Sequence, residues 1–409
     1  MSRFPGLSRI IETLRSANYG SYVAGNGVSL VGTWMQRMAV GWLAWDMTAS
    51  PLWLGIIAFA DLAPAVIVGP IGGAVADRRD RLRLVQVTQT LACGQAVALF
   101  VLSAWGLLDI GTLALLSLLL GTVSALNQPA RLALIPSLVP PERLNSAIAI
   151  NSVIFNLARF IGPAIAGAVI AAGNVEWVFA LNAASFVVFL AVLARLRLTE
   201  PPPPRRERKH VVADIRDGLL YAFGERRIAV QFLLLTVIGV GARPLVELLP
   251  GLAAGVLGGG PQTLAMLTST FGLGAIAGGL WLAGREQEKD LTRLVILASL
   301  GIAAGLLLLV ATTLLWVALP AVALLGLCMV TTGAGIQTLL QLNTEPQMRG
   351  RVLSLFGVIM RGGPAMGALA MGAAGEALGL RLPLAMGAVL VAAAAVFLLA
   401  ARRRGNTPA

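Results

Sequence analysis

The sequence predicts an all-α polytopic membrane protein whose twelve transmembrane helices form two pseudo-symmetric six-helix bundles. The prediction rests on twelve long apolar segments, on basic residues concentrated at one side of them, and on one proline-rich break near the middle. Hydrophobic residues make up 57% of the 409 residues and charged residues 12%, a composition unlike that of soluble enzymes. With no long soluble stretch between the segments, we expect no separate catalytic domain.

Twelve segments are long and apolar enough to cross a bilayer, which takes roughly 20 residues in an α-helix. They are 19–45, 52–76, 84–106, 111–138, 145–171, 175–196, 228–250, 262–284, 291–311, 314–341, 351–378 and 381–401. Six precede the proline-rich break and six follow it, so we expect two bundles of equal size.

The basic residues lie on one side of these segments. Of the 31 Lys and Arg, 25 fall in the terminal segments and the loops on the same side, whereas the opposite loops hold only Arg381. Because cytoplasmic loops carry the basic excess, we predict that both termini are cytoplasmic in a bacterial inner membrane. The net charge of +12 then reflects topology and contact with anionic lipids, and we expect no nucleic acid partner.

One stretch divides the chain. Residues 201–210 read PPPPRRERKH, and a proline run followed by charges indicates a linker rather than a helix. We predict an N-terminal bundle over 1–200, a cytoplasmic linker loop over 201–226 and a C-terminal bundle over 227–409.

The two halves share a faint repeat. Arg159 and Pro163 lie late in the first half, and Arg361 and Pro364 lie late in the second, at separations of 202 and 201 residues. The match falls in the fifth helix of each half, which favours an internal duplication of the kind that many transporters carry.

Cysteine and histidine are too few to build a metal site. Cys93 and Cys328 lie in apolar segments far apart in sequence, and the single histidine, His210, lies in the predicted linker. We therefore expect no metal and no cofactor. No nucleophile–base pair or phosphate-binding loop is apparent, so we predict that the protein is not an enzyme.

Charged residues inside the apolar segments are costly and usually face the protein interior. Arg37 lies nine residues before Asp46 and Asp61 lies nine residues after Leu52, at the outer ends of their helices, which places both roughly 13 Å below the outer surface. Three possibilities remain open. They form a static ion pair, or Asp61 exchanges a proton as substrate binds, or the two side chains do not meet.

The seventh segment carries a second acid. Thr236, Gly239, Arg243 and Glu247 follow helical spacing and are expected to share one face. Because Arg243 and Glu247 are four residues apart, they are candidates for a helical ion pair. Of the two proton-coupling candidates, Asp61 is therefore favoured over Glu247.

Polar side chains recur along one face of several apolar segments, which predicts a central polar cavity because lipid-facing surfaces exclude such groups. The arginines favour an anionic or carbonyl-rich substrate, and the indole favours an amphiphilic one, unless the tryptophans only anchor the chain at the interface. The substrate-cavity candidates are Asn26, Thr33, Trp34, Arg37, Asn127, Arg131, Asn156, Arg159, Arg243, Gln337, Gln341 and Arg361.

The stretch 69–83 joins a glycine-rich helix end to Asp77 and four arginines. Gly69 and Gly73 have the four-residue spacing that lets membrane helices approach closely. Positive-inside bias alone accounts for the arginines, but it does not require Asp77.

These motifs resemble those of the major facilitator superfamily. Residues 73–81, GAVADRRDR, are similar to its helix 2–3 signature, with Asp80 where glycine is usual. Residues 158–167, ARFIGPAIAG, resemble the helix 5 motif of its antiporters and include Gly162, Pro163 and Gly167. VGTWMQ at 31–36, NQPAR at 127–131 and VPPERL at 139–144 are similar to the transmembrane secretion effector branch, which contains the enterobactin exporter.

The resemblance implies alternating access, in which two bundles rock about a site near the midplane. It also implies an inner gate, in which Gly73, Asp77, Arg78 and Arg81 meet the start of helix 11 around Gly350 and Arg351. One departure concerns proton coupling. Many proton antiporters of the superfamily carry an arginine four residues before a glycine in helix 4, and here Ser117 precedes Gly121.

The sequence thus predicts a monomeric secondary transporter that exports small amphiphilic or anionic molecules, siderophore-like or drug-like, by proton antiport. Its partners are then the small-molecule substrate, protons and membrane lipids. Two alternatives remain open. A lipid or lysolipid flippase would depend on lipid headgroups, and a non-transporting sensor or scaffold would depend on the inner loop.

Overall fold

A computed structural model describes residues 12–196, 198, 219–284 and 291–403, with the side chains of Ala17, Asp77, Ala283 and residues 401–403 excluded. The described part is almost entirely α-helical. His210 and most of the predicted linker at 201–226 lie outside it.

Helical structure coincides with every one of the twelve predicted segments, and two of them are interrupted. In chain order we label the helices α1 to α12, with a and b for the parts of an interrupted helix. They are α1 Ala17–Thr48, α2a Pro51–Leu62, α2b Pro64–Arg78, α3 Arg81–Ala104, α4 Ile110–Leu134, α5 Leu144–Ala171, α6 Glu176–Arg195, α7a Arg226–Gly241, α7b Leu245–Gly251, α8 Pro261–Ala283, α9 Leu291–Ala311, α10 Leu315–Asn343, α11 Arg349–Leu378 and α12 Arg381–Arg403.

Within the described residues, eleven helices, from α2 to α12, have the length and apolarity of membrane spans. Helix α1 has 32 residues, which is long enough, but it carries more polar residues than the others. Asn26, Ser29 and Gln36 on this helix are each only 1% exposed. Its polarity is therefore directed into the protein, where hydrogen bonds replace those lost to water.

Two helices are interrupted where a proline follows. Ala63 separates α2a from α2b, just before Pro64, and residues 242–244 form a turn between α7a and α7b. Proline lacks an N–H donor and its ring crowds the preceding turn. The span predicted at 228–250 falls within one candidate membrane span, Arg226–Val256, which contains this turn.

The chain divides into two compact units, Met1–Leu43 with Ile67–Arg206, and Ala44–Val66 with Glu207–Ala409. In the first unit, α3 packs against α4 and α6. One hydrophobic core of this unit includes Tyr19, Tyr22 and Phe189, and the rings of Tyr22 and Phe189 meet edge to face.

In the second unit, α8 and α9 pack against α10, and α9 also packs against α12. Helix α7a lies against α11 and α12, and α2a lies along α11. The interruption at Ala63 therefore coincides with the point where the chain passes from one compact unit to the other.

Helices α2a and α11 are in backbone contact. A Cβ added at Gly55 would lie 2.5 Å from the Ala368 carbonyl oxygen, and one at Gly372 would lie 2.5 Å from that of Pro51. At the end of this contact, Glu376 Oε2 accepts hydrogen bonds from Ser50 Oγ (2.7 Å) and from the Leu52 N–H (3.2 Å). A carboxylate at a helix N-terminus is stabilised by the helix dipole.

The close approach predicted for Gly69 and Gly73 was wrong. A Cβ added at either glycine would meet no described atom within 4 Å, whereas one at Gly72 would lie 2.7 Å from the Ala125 carbonyl oxygen of α4. Gly72 therefore makes the contact with α4. The four-residue spacing identifies glycines that share a face of the helix, but it does not say which face meets the neighbouring helix.

Two aspartates cap the helices of the first unit. Asp80 Oδ1 accepts a hydrogen bond from the Arg83 N–H at 3.1 Å, at the start of α3. Asp109 caps α4 in the same way. The hydroxyl and N–H of Thr112, together with the N–H of Gly111, hold the pKa of Asp109 below its ordinary value.

A buried amide network joins α1, α3 and α6. Gln36 Nε2 donates to Gln95 Oε1 at 2.9 Å, and Asn182 Nδ2 donates to Gln36 Oε1 at 2.8 Å. Gln95 Nε2 donates in turn to the Leu116 carbonyl oxygen of α4 at 3.2 Å. We call Gln36, Gln95 and Asn182 the amide network. Because each amide satisfies another, the network fixes the rotation of α1 about its axis.

The amide network predicts a large effect for Gln36→Leu. This variant leaves Gln95 Oε1 and Asn182 Nδ2 without their partners, and an unsatisfied buried polar group costs about 1–3 kcal/mol. We expect a lower melting temperature of the purified protein in detergent. Gln341→Leu, at an exposed position, serves as the control and should leave it unchanged. Equal melting temperatures of the two variants would contradict a stabilising network.

Gly372→Ala tests the contact between α2a and α11. The added methyl group meets the Pro51 backbone, and overpacking costs about 1–3 kcal/mol, more than the roughly 1 kcal/mol that alanine gains in helix propensity. Gly94→Ala is the matched control because its added Cβ meets no described atom within 4 Å. Thermal unfolding should show Gly372→Ala destabilised and Gly94→Ala unchanged or stabilised. A more stable Gly372→Ala variant would refute the contact.

Candidate substrate and gating sites

Trp34 lies at the centre of a cation–aromatic cluster in the first unit. The guanidinium carbon of Arg37 lies 5.4 Å from the centroid of the indole ring, and that of Arg159 lies 5.3 Å from it. The ring of Phe155 meets the indole edge to face, with centroids 5.8 Å apart. We call these four residues the Trp34 cluster.

The Trp34 cluster unites residues that the sequence placed on two different stripes. Trp34 and Arg37 come from α1, whereas Phe155 and Arg159 come from α5. Trp34, Arg37 and Arg159 are half-buried and Phe155 is exposed. Guanidinium groups near an aromatic face are attracted by its quadrupole, and together they form a surface that suits both apolar and anionic groups.

The helix 5 motif brings α5 close enough to α1 to form this cluster. A Cβ at Gly162 would lie 2.7 Å from the Cβ of Trp34 and 2.9 Å from the Val31 carbonyl oxygen. Glycine is therefore required at this crossing. Pro163 and Gly167 are buried in the same helix.

A second group of predicted residues meets one region of α1. Arg131 Nη2 donates to Asn26 Oδ1, and Asn26 Nδ2 lies 3.5 Å from Asn151 Oδ1. The Arg131 guanidinium also lies 5.7 Å from the ring centroid of Phe189. The polar stripes of α1, α4 and α5 therefore converge here, and we call this group the Asn26 cluster.

The other three cavity candidates of the first unit are Thr33, Asn156 and Asn127, and the first two form hydrogen bonds within their own helices. Thr33 Oγ1 donates to the Ser29 carbonyl oxygen at 2.8 Å, and Asn156 Nδ2 donates to that of Ser152 at 2.9 Å. Asn127 is buried on α4, and its Oδ1 atom has no hydrogen-bond partner.

In the second unit, Arg243 lies in the interruption of α7. Its Nε atom is buried without a hydrogen-bond partner. Gln337 and Gln341 are exposed on α10, and Arg361 is half-buried on α11. Thr236, Gly239, Arg243 and Glu247 were expected to share one helix face. They do not, because α7a ends at Gly241.

The two proton-coupling candidates both lie beside interruptions. Asp61 is in the last turn of α2a, and Glu247 is in the first turn of α7b. Both are half-buried. Pairing of Asp61 with Arg37, and of Glu247 with Arg243, stays a prediction.

The inner-gate motif is only partly described. Arg81 Nη1 donates to the Ala133 carbonyl oxygen at 3.2 Å and so ties α3 to α4. Arg78 is exposed and Gly73 is half-buried, while the side chain of Asp77 lies outside the described part. Asp80, the departure from the superfamily signature, acts as the cap of α3. The gating role of the motif stays a prediction.

Sequence reasoning missed several residues of these sites. Gln36, Gln95 and Asn182 were polar residues in apolar segments, a signal that was present but not used. Asn151 gave the same signal, whereas Phe155 and Phe189 gave none, because nothing in one helix identifies its neighbour.

Comparison with known proteins agrees with the helical architecture. A solved structure of the nucleoside transporter NupG aligns with a TM-score of 0.74 at 9% identity, and the alignment covers 93% of this chain and 99% of that one. At this identity the comparison supports the fold alone.

Relatives at higher identity are transporters. The enterobactin exporter EntS of Escherichia coli is 30% identical over 76% of this chain and 74% of its own. The staphyloferrin A transporter of Staphylococcus aureus is 26% identical over 86% and 87%. The macrolide efflux protein A of Streptococcus pyogenes is 22% identical over 82% and 84%.

The family model for the transmembrane secretion effectors matches residues 13–407. This match spans nearly the whole chain and agrees with the motifs that led to the same family. The chain therefore belongs to the transmembrane secretion effector family of the major facilitator superfamily and is a multi-pass membrane transporter rather than an enzyme.

Proposed function

We propose that this transporter exports small amphiphilic or anionic molecules, siderophore-like or drug-like, by alternating access coupled to proton antiport. The observation that carries the proposal is the Trp34 cluster, in which two guanidinium groups lie within about 6 Å of one indole ring. It offers an aromatic surface and positive charge to the same ligand.

The position of the cluster supports a role in binding. Charged side chains in membrane helices usually face a protein interior or a water-filled cavity, because exposure to lipid costs several kcal/mol. Trp34, Arg37 and Arg159 are neither fully buried nor fully exposed. The cation–π contacts place both guanidinium groups beside the same indole ring, so positive charge lies next to an aromatic face.

The relatives support both parts of the proposed substrate class. Two are named for the siderophores enterobactin and staphyloferrin A, and one is named for macrolide efflux. Export as the direction of transport rests on these relatives and on the family match.

Asp61 is the residue that we propose for proton coupling. It is half-buried in a membrane helix and lies two residues before the interruption at Ala63. Protonation changes the charge of a carboxylate inside a membrane helix, just before Pro64, so it can be linked to a change in helix position. A proton moving inward would then accompany each substrate moving outward.

Asp61→Asn tests the coupling. In an efflux-deficient bacterium, wild type should protect against toxic amphiphiles or release iron chelators into the medium, and Asp61→Asn should not. Asp46→Asn, which removes the same charge at an exposed position of α1, is the matched control and should behave as wild type.

In proteoliposomes, Asp61→Asn should lose uphill transport driven by a pH gradient. Full coupling in that variant would remove Asp61 from the mechanism, and lipid movement without a response to pH would favour a flippase.

Trp34→Leu tests the binding surface. Loss of the indole removes the aromatic face proposed for the ligand, and one aromatic contact worth about 0.5–2 kcal/mol corresponds to a rise of roughly 2- to 30-fold in the apparent KM for an exported amphiphile. Trp34→Phe keeps an aromatic face and should retain more affinity. Trp316→Leu, at a position that is 82% exposed, is the control. An unchanged KM in Trp34→Leu would show that the cluster is only structural.

A further inference from the structure

The interruption of α7 places one arginine outside regular helix. Helix α7a ends at Gly241 and α7b begins at Leu245. The Ala242 and Arg243 N–H groups both donate to the Ile238 carbonyl oxygen at 3.0 Å, and the Leu245 N–H donates to that of Ala242 at 3.2 Å. Interrupted membrane helices of transporters are typically found where a ligand binds, because irregular backbone needs a cavity or a partner.

The guanidinium of Arg243 lies beside a glycine of α10. A Cβ added at Gly333 would lie 3.1 Å from Arg243 Nη2 and 3.9 Å from Met360 Cε. Any other residue at this position would therefore crowd the Nη2 atom. Glycine at this position therefore keeps a side chain of α10 away from Nη2, on the edge of the guanidinium that Nε and Nη2 share.

That edge has an unused donor. Arg243 Nε is buried with no hydrogen-bond partner, and the adjacent residue of α10, Thr332, has a buried hydroxyl in the same condition. Leaving a buried donor of a charged group unpaired is costly. One helical turn from Gly333, at i+4 on the same face of α10, Gln337 is exposed in a membrane-spanning helix.

We infer that the Nε–Nη2 edge of Arg243 binds a carboxylate of the transported molecule. Arginine offers two parallel N–H donors whose spacing matches the two oxygens of a carboxylate. The unpaired Nε, the absence of a side chain at Gly333 and the exposed amide of Gln337 all belong to this part of the second unit. The inference rests on the proposed function and specifies it, since it makes the substrate an amphiphile with a free carboxylate.

The test compares two fluorescent probes that differ only in charge, N-dansylglycine and N-dansylglycinamide. Binding is measured by fluorescence to the full chain in lipid nanodiscs, with empty nanodiscs as the blank. Wild type should bind the acid at least tenfold more tightly than the amide. Arg243→Gln should lower affinity for the acid by about 10- to 100-fold, as expected for hydrogen bonds to a charged group, and should leave that for the amide unchanged.

Two further variants keep the test decisive if Arg243→Gln does not fold. Arg243→Lys retains the charge but has no second parallel donor, and Gly333→Ala places a methyl group beside Nη2. Both should reduce preference for the acid. Arg381→Gln removes a charge from an exposed position and should match wild type.

The results separate this inference from the proposed function. Equal affinity for the two probes in wild type, or no measurable binding of either, overturns the inference, as does an unchanged preference in Arg243→Lys and Gly333→Ala. Acid-selective binding that depends on Arg243 supports it even if the cell assay finds no export. Export of amphiphiles combined with no acid preference contradicts the carboxylate site alone.

Discussion

The bilayer offers no hydrogen bonds, so each polar group inside it must be satisfied by the protein. Helix α1 shows how strongly this constraint shapes the fold. It is more polar than the other membrane helices, yet Asn26 and Gln36 are almost completely buried. Gln36 is held by the amide network and Asn26 by Arg131. Because these contacts fix the orientation of α1, they also determine which way Trp34 and Arg37 point.

The same constraint explains how glycine is used. Where helices cross at Gly162, Gly55 or Gly363, backbone or Cβ atoms of the neighbouring helix occupy the space of the missing side chain. Small residues at such crossings increase packing contacts, which drive helix association in membranes. The position of the Trp34 cluster therefore depends on Gly162 as much as on the charged residues.

Much of this architecture could be predicted from the sequence, because hydropathy and charge distribution follow directly from the bilayer. The helices at all twelve predicted segments and the family are confirmed, whereas the polar stripes and the central cavity that they predict stay predictions. The contacts within those stripes could not be predicted. Helical spacing places Gly69 and Gly73 on one face, but only the fold shows that Gly72 meets α4. Likewise, the sequence identifies Gln36 as polar without indicating Gln95 and Asn182 as its partners.

The interruptions are where prediction from the sequence was weakest. Pro64 and Pro244 were visible, but a membrane helix tolerates proline whenever its surroundings satisfy the freed backbone. Here α7 stops at Gly241, whereas the backbone of α2 keeps helical angles at Ala63, and Asp61, Arg243 and Glu247 all lie within a turn of these two positions. A group that gains or loses charge acts most directly on a conformational equilibrium where the backbone has more than one arrangement. The proposed proton transfer at Asp61 and the proposed anion binding at Arg243 therefore both concern residues that lie beside a proline within a membrane helix.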